Sequence, residues 1–431
     1  MGAARTPEYS PTFKVTPPIQ TLVNYIPMQE IQEAGVQAQL FSPYQMRELV
    51  LENRIVVSPM CQYAAENGNA SDWHIMHLGS MAVSGAGLII TEAAAVEPEG
   101  RISNLCLGIY SDENELALAR VIDFCREYGK ARLGIQLSHA GRKGAVTPSW
   151  EVRRPLTAEE GWWQPEAPSF VDDGVHSPPA VLDLAGINRI KAAWVDATVR
   201  SDRAGFDLVE LHFAHGYLVN EFLSPLTNFR TDGYGGTREK AMRLALEIFD
   251  ECRAIWPGHK PMGVRISAVD WVPGGWSLDD SIVLSKELRT RGCDYICASS
   301  GGSSHKQKIV AGPSYQVPFA ERIRAEASIP TMAVGQISEA EQAEAILQEG
   351  KADMVALARG MLYNPRWAWH AASKLGVHLD YAKRYVNCHP ALGTELKFAD
   401  TGEKAEALRR LWRASEKSRL SGLRPTDTPT G

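Results

Sequence analysis

Residues 331–360 read TMAVGQISEAEQAEAILQEGKADMVALARG, and this stretch decides the fold. An apolar run, Thr331–Val334, closes on Gly335. Ser338, with Glu339 and Glu341 behind it, then opens a helical stretch to Gln348, a hydroxyl cap followed by first-turn acids. A second apolar run, Met354–Leu357, ends on Ala358 and Arg359. The helix returns the chain to the side where it began, so the two strands must lie parallel.

The same unit recurs upstream. Six more runs precede these two: Ile55–Ser58, Leu88–Thr91, Leu133–Leu137, Leu208–Leu211, Gly263–Ile266 and Tyr295–Ala298. Helical stretches separate them, among them Asp112–Tyr128 behind Ser111, Asn188–Ala204 and Thr237–Ile255. Eight such units favour an α/β fold closed as a parallel (β/α)8 TIM barrel over an open doubly wound sheet. No Gly-x-Gly-x-x-Gly follows any strand, which disfavours a dinucleotide-binding domain. The expected division is an N-terminal extension at 1–39, the barrel at 40–376 and a C-terminal extension at 377–431, charged and helical through Ala405–Leu420.

Composition narrows the function classes. With 431 residues and 44% hydrophobic content the chain can bury a barrel core. Its net charge of −6 and lack of a basic block argue against nucleic acid. Apolar runs such as Leu88-Ile89-Ile90 are too short to cross a membrane. Seven scattered cysteines, at 61, 106, 125, 252, 293, 297 and 388, do not make a disulfide scaffold and suit a reducing cytoplasm. Met1–Ser10 has no apolar signal-peptide core; Gly2 and Thr6 match the loose myristoylation pattern, but no polybasic second signal accompanies them.

Catalytic groups of a barrel gather at the carboxyl ends of its strands. Those ends here are Pro59-Met60-Cys61, Glu92-Ala93, Gln136, His212 with His215, Arg265, Ser299-Ser300-Gly301, Gly335 and Arg359. Amides, imidazoles, a thiol and guanidinium groups each closing an apolar run are odd for packing alone. His212 and His215 can donate to one substrate oxygen, and Tyr217, eased by Gly216, can supply a proton. A metal pair or a structural pair are the other readings of His-x-x-His, although no third ligand clusters with it in the sequence. Gln136 can pair with a heterocycle edge, and Gly335, Ala358 and Arg359 fall where barrels hold a phosphate. Trp150, Trp162 and Trp163, before the fourth strand, suit either the pocket mouth or rim packing.

Longer motifs carry a family resemblance. They are the segments Arg54–Tyr63, Gly134–Lys143 and Glu210–Leu218, then Phe222-Leu223-Ser224-Pro225, Asn228, Arg230-Thr231-Asp232 and Tyr234-Gly235-Gly236. Together they resemble the Old Yellow Enzyme family (NADH:flavin oxidoreductases), in its subgroup with a cysteine near the flavin, from about Leu40 to about Gly376. The resemblance implies an FMN-dependent ene-reductase that passes hydride from NADPH or NADH to α,β-unsaturated carbonyl compounds. It puts FMN against Pro59, Met60, Cys61, Ala93, Gln136, Arg265, Gly335, Ala358 and Arg359. It implies that His212, His215 and Tyr63 bind substrate, with Tyr217 as proton donor and Cys61 at the flavin edge. A homo-oligomer, dimer or tetramer, is implied too, in which the end of one chain, near Tyr381–Tyr385, can reach a neighbour's site. An aldolase is the rival barrel enzyme, but no strand end offers a Schiff-base lysine. A flavin-binding protein without reductase activity is the other.

Overall fold

The computed structural model describes residues 38–388. Eight parallel strands close into a barrel in sequential order: β1 Ile55–Val57, β2 Leu88–Ala95, β3 Arg132–Ser138, β4 Leu208–Phe213, β5 Met262–Ser267, β6 Tyr295–Ser299, β7 Thr331–Ala333 and β8 Met354–Leu357. The helices α1 Asp72–Ala82, α2 Asp112–Tyr128, α3 Leu184–Arg203, α4 Leu218–Leu223, α5 Arg238–Ile255, α6 Leu278–Thr290, α7 Val317–Ala327, α8 Ala340–Gln348, α9 Arg359–Tyr363 and α10 Trp367–Lys374 complete it. The expected barrel is therefore present. No described helix is long and apolar enough to cross a membrane. Gly2 and Ala405–Leu420 lie outside the described residues.

Strand alternation divides the core in two. Inward positions such as Val56, Leu88, Ile90, Leu208, Tyr295 and Met354 fill the barrel axis, with Met46 and Leu51 of the ribbon Tyr44–Met46/Leu49–Leu51 closing its amino end. Outward positions, including Ile55, Ile89, Ile135, Val209 and Val264, pack against the helices in a second, larger cluster. Side chains alternate faces along a strand, so the polar residues following the axial ones are carried inward at the carboxyl end.

Several boundaries differ from the sequence reading for local reasons. α3 starts at Leu184, four residues before Asn188, because the Asp183 carboxylate accepts the Gly186 N–H at 2.7 Å. α8 starts at Ala340 with Glu339 as its cap, since Gln342 returns a bond to the Glu339 N–H; Ser338 stays outside the helix. β2 runs to Ala95, four residues beyond Thr91, after a bulge between Ile90 and Ala93 against β3. Cys297 lies within β6, and all seven cysteines are free thiols. Tyr381 stacks on Trp369 with ring centroids 3.9 Å apart, and Arg384 covers Tyr128 at the carboxyl end of α2. This segment therefore lies on its own barrel near the amino ends of the strands.

Gly263 makes room for the largest axial side chain. A Cβ there would lie 2.1 Å from the Tyr295 ring, which is fully buried. Gly263→Ala should therefore destabilise the fold by at least ~1–3 kcal/mol, the usual cost of overpacking. Denaturant unfolding measures it; an unchanged midpoint would contradict the close approach.

Candidate active site

The bulge in β2 shapes one wall. It leaves Thr91 and Glu92 both buried and returns Ala93 to register with Gln136. Glu92 then reaches outward: its carboxylate accepts the Gln62 N–H at 3.0 Å and meets His74 Nε2 at 3.1 Å. The His74 Nδ1 atom accepts the Ser71 N–H, so Nε2 is left to donate. This buried pair holds the chain between Cys61 and Tyr63, where Tyr63 has a left-handed φ of 51°. Cys61, Tyr63 and Tyr217 share one apolar floor of Ile102, Cys106, Ala140 and Val146. Burial, with Cys106 and Glu92 nearby, pushes the Cys61 thiol well up, so it stays protonated.

The opposite wall is polar. Gln136 and Glu210 are cross-strand partners, as are His212 and Arg265. Gln136 donates to the Glu210 carboxylate at 2.7 Å, and the Tyr295 phenol donates to it at 3.1 Å. Arg265 donates to Ser58 Oγ at 3.0 Å, while its Nε is buried with no partner among the described residues. Arg265 lowers the Glu210 carboxyl, but burial is the larger effect and raises it overall.

His212, His215 and Tyr217 come together as the sequence suggested. The imidazoles are 4.9 Å apart by centroid, and Tyr217 lies 5.4 Å from His212. His215 Nδ1 meets His212 Nε2 at 3.2 Å, and His215 Nε2 meets Ser299 Oγ at 2.7 Å. Both nitrogens of His215 are thus engaged, so two donors do not face one point in this arrangement. His212 Nδ1 is buried and unpartnered among the described residues. If the Ser299 hydroxyl donates to His215 and His215 donates to His212, the remaining N–H of the chain is on that atom. Burial first, then Arg265, holds both rings well below the usual imidazole range.

The third part lies after β7 and β8. Gly335 has φ 118°, open only to glycine, and a Cβ there would meet the Gln316 side chain at 3.0 Å. A Cβ on Gly360, next to Arg359, would meet only ordinary contacts, 3.6 Å from Leu357 and 3.8 Å from the Ile337 carbonyl. Arg359 is exposed and makes no hydrogen bond or ion pair among the described residues. An unsatisfied guanidinium beside a glycine cradle fits a phosphate, and the buried Arg265 Nε and His212 Nδ1 fit a polar ring system and its partner. The residues present thus fit a flavin mononucleotide.

Of the tryptophans, Trp150 meets Tyr63 edge-on at 5.6 Å and faces the mouth. Trp162 and Trp163 bond Ser177 and the Glu99 carbonyl and pack on the rim. Sequence reasoning gave no role to Lys143, which reaches this face through a 3-10 turn after β3 and donates to the His215 carbonyl at 2.7 Å. Its only signal was its place at the end of the Gly134–Lys143 motif.

Comparison with known proteins shows the family. Residues 39–377 match the NADH:flavin oxidoreductase / NADH oxidase family. An NADPH dehydrogenase of Geobacillus thermodenitrificans (strain NG80-2) is 43% identical over 349 residues, 80% of this chain and 97% of its own. Another, from Geobacillus sp. (strain WCH70), is 44% identical over 352 residues, 81% of this chain and 98% of its own. Among solved structures, morphinone reductase matches with a TM-score of 0.65 at 28% identity, covering 80% of this chain and 92% of its own. Morphinone reductase in complex with tetrahydroNAD gives 0.65 at 26% identity, covering 84% of this chain and 98% of its own.

The depressed imidazoles give a direct test. An ordinary histidine takes a proton near pH ~6.5. His212 and His215 should stay neutral well below that pH in the folded protein. The unfolded chain does take up those protons, so stability should fall as pH drops below roughly 6.5. Ring nitrogen NMR shifts followed through this range provide the measurement; protonation of either ring near pH 6.5 in the folded state would contradict the burial.

Proposed function

Because the chain belongs to the NADH:flavin oxidoreductase / NADH oxidase family, and is thereby a flavin-dependent oxidoreductase with FMN and NADH or NADPH as cofactors, we propose that it reduces the activated C=C bond of α,β-unsaturated carbonyl compounds. The observation that carries this reading is the grouping of the His212, His215 and Tyr217 rings, with His212 Nδ1 buried and unpartnered among the described residues. FMN, when bound, supplies the hydride relay between the nicotinamide and the alkene. Pro59, Met60, Cys61, Ala93, Gln136 and Arg265 would hold its ring system, and Gly335, Ala358 and Arg359 its phosphate.

His212 would donate from Nδ1 to the substrate carbonyl oxygen, where negative charge grows as the β-carbon is reduced. His215 would add a second donor by giving up its bonds to both His212 and Ser299 and turning its single N–H to the substrate. Neutral rings suit this task, since each keeps one N–H to donate and no proton is lost from the donor set. Tyr217 would give its proton to the carbon beside the carbonyl, and Tyr63 would close on the substrate from the Cys61 side. We place Cys61 at the flavin edge as a protonated thiol.

The barrel at 40–376 would be the catalytic domain, with 1–39 and 377–431 as extensions. Seven free thiols support a cytoplasmic location. Self-association into a dimer or tetramer rests on the family resemblance alone.

His212→Ala should slow enone reduction ~100- to 1000-fold, the usual effect of losing one oxyanion donor, with His215→Ala milder. Tyr217→Phe should slow the same step while flavin reduction by NADPH proceeds. Stopped-flow measurement of both half-reactions decides this, and enone oxidation of the reduced enzyme at wild-type rate in all three variants would end the proposal.

Arg359→Ala should weaken FMN binding roughly 10- to 100-fold, as expected for one charge-assisted hydrogen bond of ~1.5–3 kcal/mol. Titration of FMN into apoprotein reads it, and unchanged affinity would move the phosphate elsewhere.

A further inference from the structure

Lys143 sits where two strained loops meet. His215 and Gly216 both adopt left-handed φ, at 64° and 69°. A Cβ on Gly216 would lie 2.0 Å from the Gly302 carbonyl oxygen, so the turn after β4 touches the loop after β6. A histidine at positive φ persists only where its surroundings fix it. Ser267 Oγ accepts the His215 N–H at 2.8 Å, and Asn220 accepts the Gly216 N–H at 2.7 Å. Lys143 Nζ completes the clamp, donating to the carbonyls of His215 at 2.7 Å and Gly302 at 3.2 Å. The same ammonium lies 5.1 Å from the centroid of the Tyr217 ring.

Two donors spent on carbonyls would suffice for a structural pin. The placement against Tyr217 goes further. Burial, with Cys61 and Tyr63 close by, pushes the phenol far above its ordinary value, which opposes its giving up a proton. A cation near the ring opposes that burial by stabilising the phenolate left behind.

We infer that Lys143 is a positioning residue for proton delivery, its ammonium both fixing the His215–Tyr217 turn and stabilising the Tyr217 phenolate as the phenol protonates substrate. This rests on the alkene-reduction reading above. In that step the Tyr217 O–H bond breaks and its proton forms the C–H bond beside the carbonyl. The hydride ends on the β-carbon, and the phenolate recovers a proton from water.

The charge of Lys143 is itself titratable. On its own turn it faces Arg142, and from the following loop Arg153, Asp173 and His176. Glu221 of α4 and the His212, His215 and Tyr217 group face it from the other sides. Burial, then Arg153 and Arg142, brings the amine down to about 8 against the weaker pull of Glu221 and Asp173. Below that pH the ammonium is present; above it the cation is lost. Glu221 is pushed up to about 8 by burial and titrates in the same window, so it needs its own control.

The test is single-turnover enone reduction by pre-reduced holoenzyme across pH 6–10. The wild-type rate should fall ~3- to 30-fold as pH passes about 8, the size expected of a cation–π contact of ~0.5–2 kcal/mol. Lys143→Met should lack that limb and react no faster than the wild type does at alkaline pH. Lys143→Gln, which keeps N–H donors for the carbonyls, should also lack it. In a Tyr217→Phe background the limb should be absent with or without Lys143, whereas Glu221→Gln in the wild-type background should keep it. NMR of the holoenzyme carrying 13C-labelled lysine should show one amine titrating near pH ~8 that is missing from Lys143→Met. A limb that survives in both Lys143 variants, vanishes in Glu221→Gln, or has no matching lysine titration overturns the inference alone. A wild type whose reduced flavin never reacts with enone overturns the alkene reading and this inference with it.

Discussion

A guanidinium inside a closed barrel must find partners or be expelled, and Arg265 organises the carboxyl face around that requirement. Period-two alternation points it to the axis from β5, opposite His212 on β4. Ser58 from β1 takes one of its N–H groups, and Glu210 supplies a nearby carboxylate held by Gln136 and Tyr295. The same charge lowers both imidazoles, so the histidines stay neutral donors. Burial, reinforced by this one partly buried cation, keeps the imidazoles neutral.

The backbone pays a conformational cost to complete the arrangement. His215 and Gly216 are both left-handed, and Gly216 approaches Gly302 too closely for any side chain. That turn places Tyr217 beside His212 and begins α4 at Leu218. Bonds from Ser267, Asn220 and Lys143 hold a geometry that His215 would otherwise leave. The Cys61–Tyr63 side uses the same device, with Tyr63 at positive φ and Glu92 fixing the adjacent N–H.

Much of this was legible because it depends on period and on strand ends. Apolar runs alternating with capped helices specify the barrel, and Gln136, His212 and Arg265 close such runs. The β2 extension was not legible, because a bulge breaks the alternation that defines the strand. The α8 start was missed because Ser338 and Glu339 are both plausible caps, and Gln342 accepts from the N–H groups of both. The engagement of His215 with Ser299 was hidden as well, since it joins residues 84 apart in sequence. Lys143 stands five residues beyond β3, outside any strand-end rule.

The electrostatic balance of the face follows from these placements. Cys61 and Tyr217 are kept protonated by burial, and the two imidazoles are kept neutral. Arg265, Lys143 and exposed Arg359 put positive charge on this side. A site of neutral donors ringed by cations favours ligands that carry or develop negative charge: a phosphate at Arg359, and an oxygen gaining electrons near His212. Neutral donors cost less to bury than charged ones, while Lys143 and Arg359 lie where backbone carbonyls or solvent can satisfy them. The fold therefore separates two tasks that compete in a small pocket: holding hydrogen bonds ready in a dry interior, and supplying the positive field that makes them effective.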